Sequence, residues 1–191
     1  MMKSKLTSEL IQFTERPRWY DIQGKAMILF GGIIALLSMV APNVYMLGEN
    51  ASWLPFICVI MLLVGILRCI DALAAKTAQG FLFNMQIGLW DMIVALLVIF
   101  STNDEPNNMN LLIVGYLLMQ GIQRNLLLSA SKIPKSMPYR MTGLISVILG
   151  LMIWVDWPTS LWFLSFSLSV DLGFRGWTLM VMAGSIKTID N

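Results

Sequence analysis

Six long apolar stretches, separated by short polar connectors, set the pattern of hydrophobic and polar positions along the chain. They cover residues 22–41, 51–72, 81–100, 109–128, 140–157 and 159–184. About 20 helical residues cross the hydrocarbon core of a bilayer, which is about 30 Å thick, and each stretch comes close to that length. The pattern therefore predicts an all-α integral membrane protein, with six transmembrane helices forming one domain over residues 22–186.

The N-terminal segment, residues 1–21, is polar and mixed in charge. Leu6, Leu10 and Phe13 fall on one helical face, as in a short helix that lies at the membrane interface. Pro17 is expected to end that helix. The first apolar stretch begins too late for a cleaved signal peptide, and no A-x-A-like site follows it.

Basic residues separate the two ends of the predicted bundle. The connectors after the first, third and fifth stretches contain acidic residues and no Lys or Arg. The connectors after the second and fourth stretches carry Lys76, Lys132, Lys135 and Arg140. Because cytoplasmic loops are enriched in Lys and Arg, both termini are predicted to be cytoplasmic (N-in/C-in).

Glycines and prolines recur at corresponding places in three pairs of stretches. The connectors within the pairs contain Pro42, Pro106 and Pro158. Upstream of that proline, the first stretch of each pair carries a glycine: Gly24, Gly88 or Gly143. In the second stretch a glycine stands just ahead of an arginine: Gly65, Gly121 or Gly173. Internal repeats build many membrane bundles, so we interpret the domain as three hairpin repeats.

Composition agrees with a membrane protein and removes several classes of site. Of the 191 residues, 57% are hydrophobic and 13% are charged, against about a half and a quarter in soluble domains. The chain has no histidine, which removes His-based catalysis and His-ligated metals. Cys58 and Cys69 are too far apart on one helix for a disulfide. With no catalytic, phosphate-binding or nucleic-acid-binding motif, we predict no enzyme activity, no metal or cofactor and no nucleic-acid partner.

Asp91, Asp171 and Arg175 are charged residues near the middle of predicted spans, where a charge must face protein or water. Asp171 and Arg175 are four residues apart and can pair within one helix. Asp91 has no basic neighbour one turn away, so it meets a base from another helix, faces water or carries a proton. One arginine between two aspartates leaves a surplus carboxylate, which makes this cluster a candidate proton-linked site. The alternative is a buried polar clamp that fixes helix packing.

The opposite face of the last stretch carries small residues, Ser165, Ser169 and Gly173. A stripe of small residues lets another helix approach closely. The stripe would also suit a subunit contact in a homo-oligomer.

A second candidate site is a basic collar of Arg68, Arg124 and Arg175 at the inner mouth of a threefold bundle. Such a collar would bind an anion or the anionic lipid headgroups of the cytoplasmic leaflet. The alternative is that Arg68 pairs with Asp71 and that Arg68 and Arg124 extend to the headgroups.

Two parts of the chain resemble the HdeD family of small bacterial acid-resistance membrane proteins. The first is IQGKAMILFGGIIALLSMVAPN with LLVGILRCIDALAAK, and the second is GLISVILGLMIWVDWPTSLWFLSFSLSVDLGFRGWTLMVMAGS. The resemblance implies a six-span protein of the bacterial inner membrane that acts in survival at low pH or under envelope stress. It implies no catalytic residues.

Two other functions remain open at this point. One is a small transporter or channel whose path lies at the hairpin interface. The other is a membrane scaffold that transports nothing and binds lipid or a partner protein through Lys132, Lys135 and Arg140.

Overall fold

A computed structural model describes residues 17–42, 52–74, 78–101, 106–130, 137–156 and 160–187. In these residues the regular structure is helical, and six α-helices are present, as the sequence predicted. They are α1 (Pro17–Val40), α2 (Leu54–Leu73), α3 (Ala78–Phe100), α4 (Pro106–Ala130), α5 (Met137–Val155) and α6 (Leu161–Lys187).

The start of α1 corrects the predicted N-terminal boundary. Pro17 begins the helix, because a proline in the first turn lacks only an N–H that would have no helical partner there. Residues 17–21, assigned to the N-terminal segment, are therefore the first residues of α1. The predicted interfacial helix around residues 6–13 lies outside the described residues.

The helices pack closely in three pairs: α1 with α6, α2 with α3, and α4 with α5. The two helices of each predicted hairpin touch far less. Glycines allow the close approach in each pair. A Cβ atom placed on Gly24, Gly65 or Gly121 would lie 2.7, 2.9 or 2.6 Å from a backbone oxygen of the partner helix. The partner oxygens belong to Gly176, Gly88 and Gly143 respectively.

The small-residue stripe of α6 is covered by α1, which confirms the predicted close helix approach. Ser165 and Ser169 are fully buried. A Cβ atom on Gly31 of α1 would lie 2.7 Å from the Ser169 carbonyl oxygen and 2.9 Å from the Gly173 amide nitrogen. Because α1 already occupies this stripe, a subunit contact in a homo-oligomer would need another surface.

Polar side chains are buried and large apolar side chains are exposed, which inverts the pattern of a water-soluble fold. The buried polar set includes two aspartates and two arginines, whereas Val40 is 82% exposed and Phe100 is 79% exposed. Lipid accepts such an apolar surface, while charges in a membrane bundle face its interior. The described helices thus have the features of an all-helical membrane protein.

Among the described residues, three helical segments are long and apolar enough to cross a bilayer: Arg18–Val40, Leu54–Leu73 and Met137–Val155. In α3 the apolar part, Asn84–Phe100, is shorter. Cys58 and Cys69 are free thiols.

Candidate functional site

A network of ion pairs and hydrogen bonds is buried where α3, α4, α5 and α6 meet. Its charged members are Asp91 on α3, Arg124 on α4, and Asp171 and Arg175 on α6. None of the four is more than 5% exposed. The structure therefore brings together the three residues of the predicted cluster and adds Arg124 to them.

Asp91 is paired with an arginine from another helix, which was one of the three alternatives for its charge. The Nη1 atom of Arg175 lies 2.8 Å and 2.9 Å from the two carboxylate oxygens of Asp91. The Tyr116 hydroxyl donates a hydrogen bond to Oδ1 of Asp91. Gln120 Nε2 donates to the same oxygen at 3.3 Å. These contacts satisfy a carboxylate that its own helix surrounds with apolar residues.

Asp171 is shared between two arginines. Its Oδ2 atom lies 2.6 Å from Nη2 of Arg175, one turn along α6, as the four-residue spacing predicted. Its Oδ1 atom lies 3.1 Å from Nη1 of Arg124. Ser146 donates a hydrogen bond to the same Oδ1 atom at 2.5 Å.

Arg124 is a second arginine in the network, so no carboxylate is left in surplus. The proton-linked hypothesis depended on such a surplus carboxylate. The buried network contains two aspartates and two arginines, so its charges balance without a bound proton. The premise that one arginine serves two carboxylates is wrong. The arrangement favours the alternative, a polar clamp that fixes the packing of four helices.

The spacing of residues on α4 explains why one helix supplies so much of the network. Tyr116, Gln120 and Arg124 are four residues apart and therefore share one helical face. Gln120 links Asp91 to Arg124, because it donates to Asp91 and its Oε1 atom accepts from Arg124 Nη2 at 3.3 Å. The guanidinium of Arg175 also lies 5.5 Å from the centre of the Tyr116 ring, which adds a cation–π contact.

Two hydroxyl residues of α5 complete the network toward α6. Thr142 and Ser146 are also four residues apart, and both are at most 2% exposed. Arg124 Nη1 donates to Ser146 Oγ at 3.0 Å. The hydroxyl oxygens of Thr142 and Thr178 lie 2.6 Å apart and share a hydrogen bond. Sequence reasoning missed these partners, although their four-residue spacing within apolar stretches was a usable signal.

The predicted basic collar does not form a ring of free arginines at the mouth. Arg124 and Arg175 are buried and paired with aspartates. Arg68 does not form the ion pair with Asp71 that the sequence suggested as the alternative. Its Nε atom is buried without a hydrogen-bond partner among the described residues.

All three arginines nevertheless line one cavity of about 50 Å³. The cavity lies at one end of the bundle, which we call the cavity end. Helices α1, α3 and α5 begin there, and α2, α4 and α6 end there. All six helices contribute to its wall, through Tyr20, Gln23, Arg68, Asp71, Asn84, Ile87, Arg124, Tyr139, Thr142, Arg175, Thr178 and Leu179.

The far half of the bundle buries apolar side chains together with small polar ones. Fully buried apolar residues there include Leu54, Ile57, Ile113 and Leu164, and the buried polar ones include Ser38, Asn110, Ser165, Ser167 and Ser169. Within the described part of the chain, no charged side chain is buried at that end. The buried arginines therefore border the cavity, and buried charges are absent from the described far half.

Comparisons with protein-family models, curated proteins and solved structures found no match to this chain. The fold and the site define its class: an all-helical membrane protein with a charge-balanced ionic network in its interior.

Proposed function

We propose that this is a six-span protein of the bacterial inner membrane, of the HdeD type, which acts in resistance to acid or envelope stress and is not an enzyme. In this proposal the six helices form three hairpin repeats, α1–α2, α3–α4 and α5–α6, and both termini are cytoplasmic. The repeat is supported by equivalent glycine contacts, Gly65 with Gly88 and Gly121 with Gly143. In each, the second helix of one hairpin packs against the first helix of the next.

The observation that carries the proposal is the balanced ionic network that joins four helices. Removing one partner of a buried ion pair typically costs about 3–5 kcal/mol, since the other charge is left uncompensated. We propose that the network fixes the helix packing on which the stress function depends. Neutralising Asp91 or Asp171, as substitution by asparagine does, would leave an arginine charge unpaired and loosen the bundle.

The position of the network suggests why acid outside the cell would spare it. Arg124 and Arg175 line the cavity, which the positive-inside rule assigns to the cytoplasmic side. The far half, in which the described residues bury no charged side chain, then faces the periplasm. In this proposal the ionic network opens toward the cytoplasm and not toward the acid medium.

Survival of an acid challenge by cells carrying Asp91→Asn tests this proposal, with membrane abundance measured in parallel. Asp156→Asn is the matched control, because Asp156 is an exposed acid on the turn after α5. We expect Asp91→Asn to lower both abundance and survival, and Asp156→Asn to change neither. Full abundance together with full survival for Asp91→Asn would refute the clamp. Full abundance with lost survival would instead assign the carboxylate a direct proton-linked role.

The two alternative functions, a transporter or channel and a membrane scaffold, require different structural features. A transporter or channel needs a polar route to the far end, and the described far half offers only small uncharged polar side chains, such as Ser38, Asn110 and Ser169, among apolar ones. A scaffold that binds through Lys132, Lys135 and Arg140 predicts that replacing these residues harms function more than Asp91→Asn does. Lys132 and Lys135 lie outside the described part of the chain, and the same survival assay decides this alternative.

A further inference from the structure

We propose that the cavity at the cavity end binds one oxyanion group, a phosphate or a carboxylate, through Arg68, Gln23 and Arg175. This site does not depend on the stress function proposed above.

The cavity is lined by buried hydrogen-bond donors that have no acceptor in the described part of the chain. They are Gln23 Nε2, Arg68 Nε and Arg175 Nε. Gln23 is 7% exposed and Arg175 is 4% exposed. Buried polar groups in native proteins are nearly always paired, and an unpaired one costs about 1–3 kcal/mol. Three such groups on residues that line one cavity indicate that an acceptor belongs there.

The type of unpaired atom defines the chemistry of the ligand. All three are N–H donors, and two belong to guanidinium groups, which donate to carboxylates and phosphates with particular strength. The charges of Arg124 and Arg175 are balanced by Asp91 and Asp171, but Arg68 has no ion-pair partner among the described residues. Arg68 therefore supplies a charged donor that no ion pair with a described carboxylate engages. Asp71 also lines the cavity and lowers the positive potential there.

The size of the cavity limits the ligand to a single small group. A water molecule needs at least about 10–15 Å³ of such volume, so the cavity of about 50 Å³ accepts about three or four water-sized atoms. That suits the oxygens of one phosphate or carboxylate and excludes a sugar or a nucleotide base. The group could be a free anion or the phosphate of a lipid whose chains remain in the bilayer.

Thermal unfolding of the purified full-length protein, followed by tryptophan fluorescence, provides the test. Inorganic phosphate is titrated in detergent, with chloride holding the ionic strength constant. A ligand that binds only the folded state stabilises it by RT ln(1 + L/Kd), where L is the free ligand concentration, so the unfolding midpoint rises with the logarithm of that concentration above Kd. We expect this logarithmic rise for the unmodified protein, and the concentration at which it begins gives the apparent Kd. Arg68→Gln should weaken the apparent Kd about tenfold or more, because it removes a charge-assisted hydrogen bond.

Two further variants separate binding from folding. Arg140→Gln is the control, since Arg140 is exposed on α5 and lies outside the cavity, and its phosphate response should match that of the unmodified protein. Gln23→Leu removes an unpaired donor without changing charge and should also weaken the phosphate response. In phosphate-free buffer, Arg68→Gln should be at least as stable as the unmodified protein, because it removes an uncompensated charge.

The lipid arm of the experiment identifies the source of the anion. The protein is placed in nanodiscs of phosphatidylcholine with or without phosphatidylglycerol, in phosphate-free buffer. Stabilisation by phosphatidylglycerol that Arg68→Gln abolishes assigns the site to a lipid headgroup. Stabilisation by inorganic phosphate in detergent assigns it to a free anion. If neither ligand stabilises the protein, or if Arg68→Gln responds as fully as Arg140→Gln, the proposal is overturned and the donors are satisfied by water.

Discussion

The substitution Asp171→Asn removes the one carboxylate that two arginines share. In the folded protein Arg175 would keep its two contacts with Asp91, whereas Arg124 would lose its only carboxylate at 3.1 Å. An asparagine retains the shape and an acceptor for Ser146, so the change is chiefly one of charge. It leaves a net charge of about +1 in a network whose charged side chains are at most 5% exposed.

The expected cost follows from the burial of the pair. Arg124 and Asp171 are 5% and 2% exposed, and breaking a buried pair costs about 3–5 kcal/mol. For a chain of this size each kcal/mol lowers the unfolding midpoint by about 2–4 °C. We therefore expect Asp171→Asn to lower the midpoint of the purified protein by about 6–20 °C at neutral pH.

A double-mutant cycle with Arg124→Gln separates charge balance from local packing. The double variant restores neutrality and leaves the pair of Asp91 and Arg175 intact. We expect its loss of stability to be smaller than the sum of the two single losses by at least about 1 kcal/mol. Additive losses, or a midpoint for Asp171→Asn within about 1 °C of the unmodified protein, would refute the reasoning.

Three further predictions concern the fold. Gly24→Val should lower the abundance of the protein in membranes, because the new Cβ would lie 2.7 Å from the Gly176 oxygen. Gly32→Ala should leave the abundance unchanged, because a Cβ there meets nothing within 4 Å. Immunoblotting of membranes measures the abundance of both variants. A cysteine introduced by Met92→Cys should be joined to Cys69 by a short bifunctional thiol reagent, because Cys69 Sγ lies 3.8 Å from the Sδ atom of the native Met92. Mass spectrometry that shows no cross-link would contradict the pairing of α2 with α3. The orientation can be tested in a chain from which Cys58 and Cys69 have been removed. A cysteine replacing Arg140 should react with a membrane-impermeant thiol reagent only in inverted vesicles, and a cysteine replacing Asp156 should react only in intact spheroplasts. The reverse result would overturn the proposed orientation.

Local features of the site could be predicted from the sequence, because helical spacing fixes which neighbours meet. The pair of Asp171 and Arg175 needs only a four-residue separation on one helix. The need of Asp91 for a partner followed from the cost of a charge at that depth. Its partner proved to be Arg175, at the same depth on another helix.

The role of Arg124 could not be predicted in this way, because it depends on how α4 is rotated about its axis. A long arginine near a helix end can extend to the headgroups or turn inward, and both suit an apolar stretch. Tyr116 and Gln120 on the same face would have favoured the inward direction. Gln123 and Asn125, the immediate neighbours in sequence, point elsewhere and gave no guidance.

The pattern of the sequence also did not predict which helices pack against each other. Short connectors suggest that neighbouring helices pack together, yet α1 packs chiefly on α6, from the other end of the chain. Among the glycines that marked the repeat, Gly24, Gly65 and Gly121 each meet a partner backbone, but in α6 the equivalent contact is made by Gly176 and not by the predicted Gly173. Their partners could be named only once the bundle was assembled in three dimensions.

The central claim, that matched buried charges maintain a bundle needed for stress resistance, is tested most directly by Asp91→Asn with and without Arg175→Gln. Membrane abundance and survival of an acid challenge are measured in the same cells. The single variant should lose both, and the double variant, in which Asp171 and Arg124 still balance, should recover a large part of both. A single variant with normal abundance and survival would contradict the claim, and so would a double variant no better than the single one.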